Sequence, residues 1–498
     1  MEAREQRDRI LLEDIARRAM LERGLRPDYS QEALAELAGI EAADVRNLDA
    51  VSDNELRDAT DLTWCSLDNH DSLDLDQLTV AYPMPGDATR VLVAIADVDA
   101  LVERGSAIDE HAAHNTSTVY TPARIFSMIP ERLSTDLTSL NPGEARAAVV
   151  VEMVVGPDGD VRDSGIYRAV VRNHAKLAYE QVAAWLEGGR VERDGIEGVE
   201  GLGESLHLQD VAAHAMKVRR HAQGALDLDT IEARPVFEDG KLRELRAEGK
   251  DRAKDIIEDL MIAVNGVTAR FLASRGYPSI RRVVRSPKRW ERIVDLAAEH
   301  GFILPGEPDS EALERFLLKM STEDPLRFPD LSLSVIKLLG AGEYVSSSPT
   351  DVSPGHFGLA VRDYGHSTAP NRRYTDLITQ RLLKAAVAGR PSPYEPAELE
   401  ALATHCTKQE DAVNKVERQV SKSAAVLLLA PRLGERFDAI VTGAAPKGTW
   451  VRLLSMPVEG RLVRGFEGVD VGQRLRVQLV ATDVARGFID FAASSASS

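Results

Sequence analysis

Cysteine is nearly absent: only Cys65 and Cys406 occur in 498 residues. They lie far apart, so neither a disulfide framework nor a zinc-ligand spacing exists. That usage suits a reducing compartment. Long apolar runs are also missing. Ala424 to Ala430 is apolar, but it falls well short of the ~18 residues of a membrane span and reads as part of a buried helix. The first residues, Met1-Glu2-Ala3-Arg4-Glu5-Gln6, are charged and lack the apolar core of a signal peptide. No internal repeat is visible. These absences predict a cytoplasmic protein with no membrane partner.

Positive charge is in short supply. Lys and Arg total 61 against 79 Asp and Glu, giving a formal net charge of −18. That balance argues against a nucleic-acid partner unless a basic channel lies inside an acidic shell. The other totals, 44% hydrophobic and 28% charged, are those of an ordinary globular chain. The length allows about three domains.

One segment concentrates acid. Ser66-Leu67-Asp68-Asn69-His70-Asp71-Ser72-Leu73-Asp74-Leu75-Asp76-Gln77 carries four aspartates between strand-like flanks. Asp74 and Asp76 are two apart, so an extended backbone points both to one face. Asp68 reaches them if a turn folds it back. Clustered carboxylates repel unless a cation lies between them, and hard oxygen ligands suit magnesium with substrate phosphates. A solvated acidic loop is the competing reading. A calcium loop is excluded, because counting from Asp68 the sixth position is Leu73 and the twelfth is Thr79.

Periodicity divides the chain. Residues 1 to 60 read as short amphipathic helices, an N-terminal module with a helix-turn-helix as one option. Strands dominate from Trp64, at Leu78 to Tyr82, Val91 to Val98 and Val149 to Val155, with turns at Pro83–Asp87 and Gly156–Gly159. Helices are expected at Ala253 to Ala273, Tyr374 to Ala388 and Ala401 to Leu429. Five short strands between Phe437 and Ala492 suggest a small barrel of OB type.

Arg372 and Arg373 begin the second of those helices. Cations in a first turn oppose the helix dipole, so an anion should compensate them. A phosphate and a carboxylate are both candidates. Basic runs at 217–220 and 281–292 are either solvated faces or the lining of a channel.

Several blocks together resemble the ribonuclease II family, the RNB-domain 3′-to-5′ exoribonucleases. They are the aspartate cluster; Ile95-Ala96-Asp97-Val98 with Gly105-Ser106 and Asp109; Thr118-Val119-Tyr120-Thr121-Pro122 running on to Leu137-Thr138-Ser139-Leu140-Asn141-Pro142; His356-Phe357-Gly358-Leu359 with Arg372 to Leu377; and Val416-Glu417-Arg418. The resemblance runs from about residue 62 to 430. It implies an α+β protein in three parts: the helical module (1–60), an RNB catalytic domain with a mixed β-sheet surrounded by helices (61–432), and a five-stranded OB-type RNA-binding barrel (433–494).

The resemblance also implies the chemistry. The protein would hydrolyse single-stranded RNA from its 3′ end to nucleoside 5′-monophosphates, as a monomer using Mg2+, with Mn2+ as a substitute. The metal would be held by Asp68, Asp74 and Asp76, with Gln77 where the family has a further Asp. Asp76 and Arg372 would be catalytic. RNA contacts would come from Tyr120, stacked on the terminal base, from Glu258 at a ribose, and from Arg373 and Glu417.

The sequence departs from the family at four places. Gln77 is a neutral, weaker ligand. Ala369-Pro370-Asn371 replaces Ser-Pro-Ile before the arginines. Leu226 and Leu228 stand where a second stacking aromatic is expected. Sixty mostly helical residues cannot encode the two cold-shock domains that usually precede the catalytic domain, so substrate selectivity should differ. The departures leave two alternatives: an RNA-binding protein with weak or lost chemistry, and an exonuclease preferring DNA or short oligonucleotides.

Overall fold

The computed structural model describes residues 2–42, 56–189, 195–229, 232–238, 241–249, 251–325, 327–351, 353–445, 448–469 and 472–493. Residues 43–55 of the expected N-terminal module and the tail from Ser494 lie outside them.

Two helices come first, α1 (Glu2–Glu22) and α2 (Gln31–Ala42). Neither builds a core of its own. Leu12, Ile15, Ala16, Ala19 and Met20 of α1 bury themselves against Val413, Val416 and Val420 far down the chain. Ala33 of α2 enters the main core, with Leu37 and Ile40 packed on it. Among the described residues the two helices thus dock separately on the large domain.

A mixed sheet follows, built from β1 (Arg57–Asp58), β2 (Cys65–Asp68), β3 (Gln77–Met84) and β4 (Ala88–Ala96). Helix α3 (Ala107–Asn115) and the small hairpin β5 (Val119–Tyr120) and β6 (Ile125–Phe126) precede β7 (Ala145–Val155), β8 (Val161–Arg172) and β9 (Ala175–Ala178). The strand order is β1-β8-β7-β4-β3-β2-β9. The two outer pairs, β1 with β8 and β2 with β9, are parallel, and the rest are antiparallel.

Alternation decides which side chains go where. Val91, Val93 and Ile95 of β4 meet the helices, while Leu92, Ala94 and Ala96 join Trp64, Leu75 and Leu78 on the other face. The three-residue loop between β3 and β4 uses Gly86 (φ 73°) and Asp87 (φ 55°), the left-handed conformations that a tight return needs. Gly159, at the β7–β8 turn, has no room for a Cβ, which would collide with the Ala215 carbonyl.

Helices then cover the sheet. They are α4 (Tyr179–Leu186), α5 (Leu202–Ala222) and, after a hairpin of β10 (Glu232–Glu238) and β11 (Lys241–Glu248), α6 (Arg252–Ser274). Strand β12 (Ser279–Val283) pairs with β13 (Glu343–Ser347) across α7 (Trp290–Glu299), α8 (Ser310–Glu323) and α9 (Phe328–Leu339). Helix α10 (Tyr374–Val387) is buried along nearly its whole length. The long α11 (Pro396–Leu429) spans ~50 Å and receives α1 on its side.

The last strands, β14 (Arg436–Ala445), β15 (Gly448–Leu453), β16 (Glu459–Arg464), β17 (Arg474–Asp483) and β18 (Phe488–Ala493), close a barrel in the order β14-β15-β16-β18-β17. Its core of Phe437, Val451, Leu479 and Phe491 continues into Ala425, Val426 and Leu429 at the end of α11. Arg452 grips Asp330 of α9 through Nε (3.3 Å) and Nη2 (2.9 Å), tying barrel to body.

Candidate active site

The aspartate loop joins β2 to β3 at one end of the sheet. Its course is fixed by backbone bonds: Leu75 N–H donates to Ser139 Oγ (3.0 Å), Leu140 N–H to Leu75 O (3.0 Å) and Ala96 N–H to Asp76 O (3.0 Å). Leu75 is buried in the sheet's second core. Asp74 and Asp76 flank it, close enough to repel each other. Burial pushes the Asp76 carboxyl up to about 7, against the pull of Arg372, and Asp74 adds to the rise. Asp74 is raised for the same first reason, desolvation.

Arg372 arrives from the start of α10. Its Nε donates to Asp76 Oδ2 at 3.0 Å. Burial works against its charge, but Asp76, Tyr120 and Asp74 together hold its pKa above the ordinary value. The arginine is also zipped to the strand that carries Tyr120. Thr118 N–H donates to Arg372 O (3.0 Å) and Tyr374 N–H to Thr116 O (2.9 Å).

Tyr120 completes the group. Its hydroxyl donates to Asp74 Oδ2 (3.3 Å), and Glu417 of α11 accepts its backbone N–H (2.8 Å). The residue stays 39% exposed, so its ring is available to a ligand. Desolvation raises the Glu417 pKa, offset in part by the bond to Tyr120. Asp74, Tyr120 and Glu417 line one cleft of about 980 Å³.

The donor set fits a divalent cation. Asp76 Oδ1 is buried with no hydrogen-bond partner among the described residues, a costly state that a cation would relieve. Two carboxylates with room for phosphate oxygens are what magnesium usually takes. Asp68 is near enough to add to the rise in Asp74, and its Oδ1 is engaged by Asn69 N–H and Ser72 Oγ, both at 2.7 Å. Among the described residues no three His, Cys, Asp or Glu side chains already converge on one point. Gln77 opens β3 opposite Ile95, and its amide makes no hydrogen bond to Asp68, Asp74 or Asp76.

Several expectations meet other partners. Arg373 is compensated by a carboxylate from its own first turn. Its Nε and Nη2 hold Asp376 Oδ2 (2.9 Å) and Oδ1 (2.7 Å), a bidentate pair that leaves no fork for phosphate. The run at 217–220 is paired off: Lys217 with Asp255, Arg219 with Asp160, Arg220 with Asp259. In the second run Arg281 is buried and donates to Ala269 O, Arg282 pairs with Glu410 and Arg285 with Glu343. Neither run lines the cleft. Leu226 and Leu228 pack against the core around Trp290 and Phe316 and are not free to stack on a base. Glu258 is exposed on α6, without a contact to the aspartate cluster.

Two residues of the site escaped the sequence reading. Asp376, fully buried, organises the loop before α10 by accepting from Ala369 N–H (2.8 Å) as well as from Arg373. Its signal was a carboxylate three residues after an arginine. Asn371, 1% exposed, meets Thr138 Oγ1 through Oδ1 (2.7 Å) and keeps Nδ2 without a partner beside the cleft. Its only signal was an amide where the family pattern has isoleucine.

Comparison with known proteins agrees with this layout. The family model for the RNB domain matches residues 56–389, and that for the RNase II-type exonuclease C-terminal S1 domain matches 435–494. Ribonuclease R of Aquifex aeolicus is 29% identical over 461 residues, 87% of this chain and 64% of that protein. Ribonuclease R of Escherichia coli K12 is 29% identical over 419 residues, 81% of this chain and 50% of that protein. The chain thus spans about half to two thirds of the length of these curated relatives. Among solved structures, Mycoplasma genitalium RNase R in complex with ribose-methylated single-stranded RNA superposes with a TM-score of 0.85 at 23% identity. It covers 96% of this chain and 77% of that one. Yeast Ssd1, a pseudonuclease, shares the fold at a TM-score of 0.66 and 17% identity. With the catalytic-domain match taking in the aspartate loop, Tyr120 and Arg372 alike, the chain belongs to the RNB family.

Proposed function

We propose that this protein is a metal-dependent 3′-to-5′ exoribonuclease that releases nucleoside 5′-monophosphates from single-stranded RNA. The observation that carries the reading is the buried, unpartnered Asp76 Oδ1, set beside Asp74 and Arg372. The likeness to proteins named ribonuclease R supports it.

In this reading Asp74 and Asp76 would hold Mg2+, or Mn2+ in its place, with Asp68 as a further carboxylate. When bound, the metal would supply stabilisation of the charge that develops on the phosphate oxygens during phosphodiester hydrolysis. Arg372 turns its Nη groups, which have no partner among the described residues, toward the non-bridging phosphate oxygens. Tyr120 stacks on the terminal base, its backbone pinned by Glu417 and its ring by the hydroxyl bond to Asp74. Glu258 is the ribose contact that distinguishes RNA from DNA. Arg373 braces the loop through Asp376 and does not touch substrate. The S1-type barrel, anchored through Arg452 and Asp330, receives the strand above the cleft.

Matched 5′-labelled RNA and DNA strands test the substrate. A ladder from RNA alone supports the reading, and equal or preferred cleavage of DNA overturns its RNA specificity. Gln77, whose amide makes no hydrogen bond to the aspartates among the described residues, favours one second reading: binding without chemistry. Intact RNA that stays bound in the presence of magnesium is its signature.

A further inference from the structure

The helix α1 forms one wall of the substrate cleft. Arg9 and Glu13, one turn apart, line the same 980 Å³ space as Asp74, Tyr120 and Glu417. The wall is firmly seated. Its apolar side is buried on α11 and against Ala123 and Phe126, and β11 also lies against it. Arg9 is itself fixed, with Nε donating to Ala123 O at 3.0 Å.

The charge inside the cleft is unfavourable for an anion. Acids Glu13, Asp71, Asp74, Glu131 and Glu417 line it, and among the described residues its only arginines are Arg9 and Arg124. Arg124 is committed: its Nη1 donates to Glu13 at 2.7 Å and its guanidinium lies 5.2 Å from the Phe126 ring centre. Arg9 is exposed, and its two Nη groups have no partner among the described residues. A phosphodiester entering this acid-lined space needs a cation before it reaches Arg372. Among the described residues Arg9 is the lining arginine that no carboxylate engages.

We propose that Arg9 of α1 binds a phosphate of the RNA strand, making the N-terminal helix part of the substrate path. The inference rests on reading the cleft as the RNA path. Arg9 acts here as a binding residue, away from the reacting atoms, and its contact is blind to base sequence.

The test is the salt dependence of binding. Affinity for a fluorescent single-stranded RNA is measured with magnesium in an Asp76→Asn background, so that the strand survives. Adding Arg9→Ala should weaken binding about fivefold or more and flatten the slope of log K against log salt by about 0.7, the value of one phosphate on a single strand. The loss should be equal for uridine and adenine tracts, and Arg9→Lys should restore most of the slope. An Arg9→Ala protein with unchanged affinity and slope overturns the proposal. So does one whose melting temperature falls while the slope stays put, since that marks a purely structural contact. If the parent protein binds no RNA, the reading of the cleft fails, and the proposal with it.

Discussion

Arg372 Nε lies 3.0 Å from Asp76 Oδ2, an ion pair between residues 296 apart in sequence. The arginine thus occupies one oxygen of a carboxylate whose other oxygen is buried and unpartnered. In the proposed reading Arg372 and the cation would share Asp76. Arg372→Ala should therefore cut the cleavage rate by about 10²-fold or more while leaving magnesium binding intact or tighter. Arg372→Lys should not rescue the rate, because a point charge lacks the planar fork. Single-turnover rates and magnesium calorimetry on the two variants check this. Magnesium binding lost along with the rate would contradict it.

In the proposed reading Tyr120 acts through its ring. Tyr120→Ala should weaken RNA binding by ~1–3 kcal/mol, the usual range for a base stacked on an aromatic. Tyr120→Phe removes only the 3.3 Å bond to Asp74 and should cost less than about 1 kcal/mol. Equal losses in the two variants would mean that the hydroxyl matters more than the ring.

Asp76 sets a pH dependence. Burial, opposed by Arg372 and reinforced by Asp74, raises its carboxyl from 3.8 to about 7. A raised acid pKa means that the folded state holds the proton more tightly than the unfolded state. Stability without metal should then decline as pH rises from about 4 to about 7 and level off above. Asp76→Asn should melt no lower than the parent above pH 7. Magnesium needs the carboxylate form, so its affinity should climb through the same window. Calorimetry at pH 6 and pH 8 reads both effects, and a pH-independent affinity would exclude Asp76 as a ligand.

Gln77 marks the point where a family carboxylate is missing. Gln77→Asp places another buried acid beside Asp76. It should lower the melting temperature without metal and enlarge the gain on adding magnesium. Thermal unfolding with and without magnesium measures the difference. An unchanged gain would show that position 77 is out of reach of the cation.

The sheet and the barrel were legible because burial leaves a period. Val91 to Ile95 alternates between two cores, and the five barrel strands run from Arg436 to Ala493, one residue beyond the expected Phe437 and Ala492 at each end. Helix α11 starts at Pro396, five residues before the expected Ala401, because proline is tolerated in a helix's first turn. The hairpin of β10 and β11 was not anticipated, since charged residues between two long helices mask its alternation.

At the site, Asp74, Asp76, Tyr120, Arg372 and Glu417 come together in the structure. Sequence could not choose the anion for each arginine. Arg372 and Arg373 are neighbours, yet one meets Asp76 across the fold and the other meets Asp376 one turn away. Only tertiary geometry separates those outcomes. The ion pairs of the basic runs were hidden for the same reason, since partners such as Asp160, Glu343 and Glu410 are distant in sequence.

The central claim is tested most directly with 5′-labelled single-stranded RNA, magnesium, and the parent protein beside Asp76→Asn. The account predicts a ladder shortening from the 3′ end that disappears in the variant and, for the parent, on chelation of the metal. RNA left intact but bound by the parent protein would contradict it.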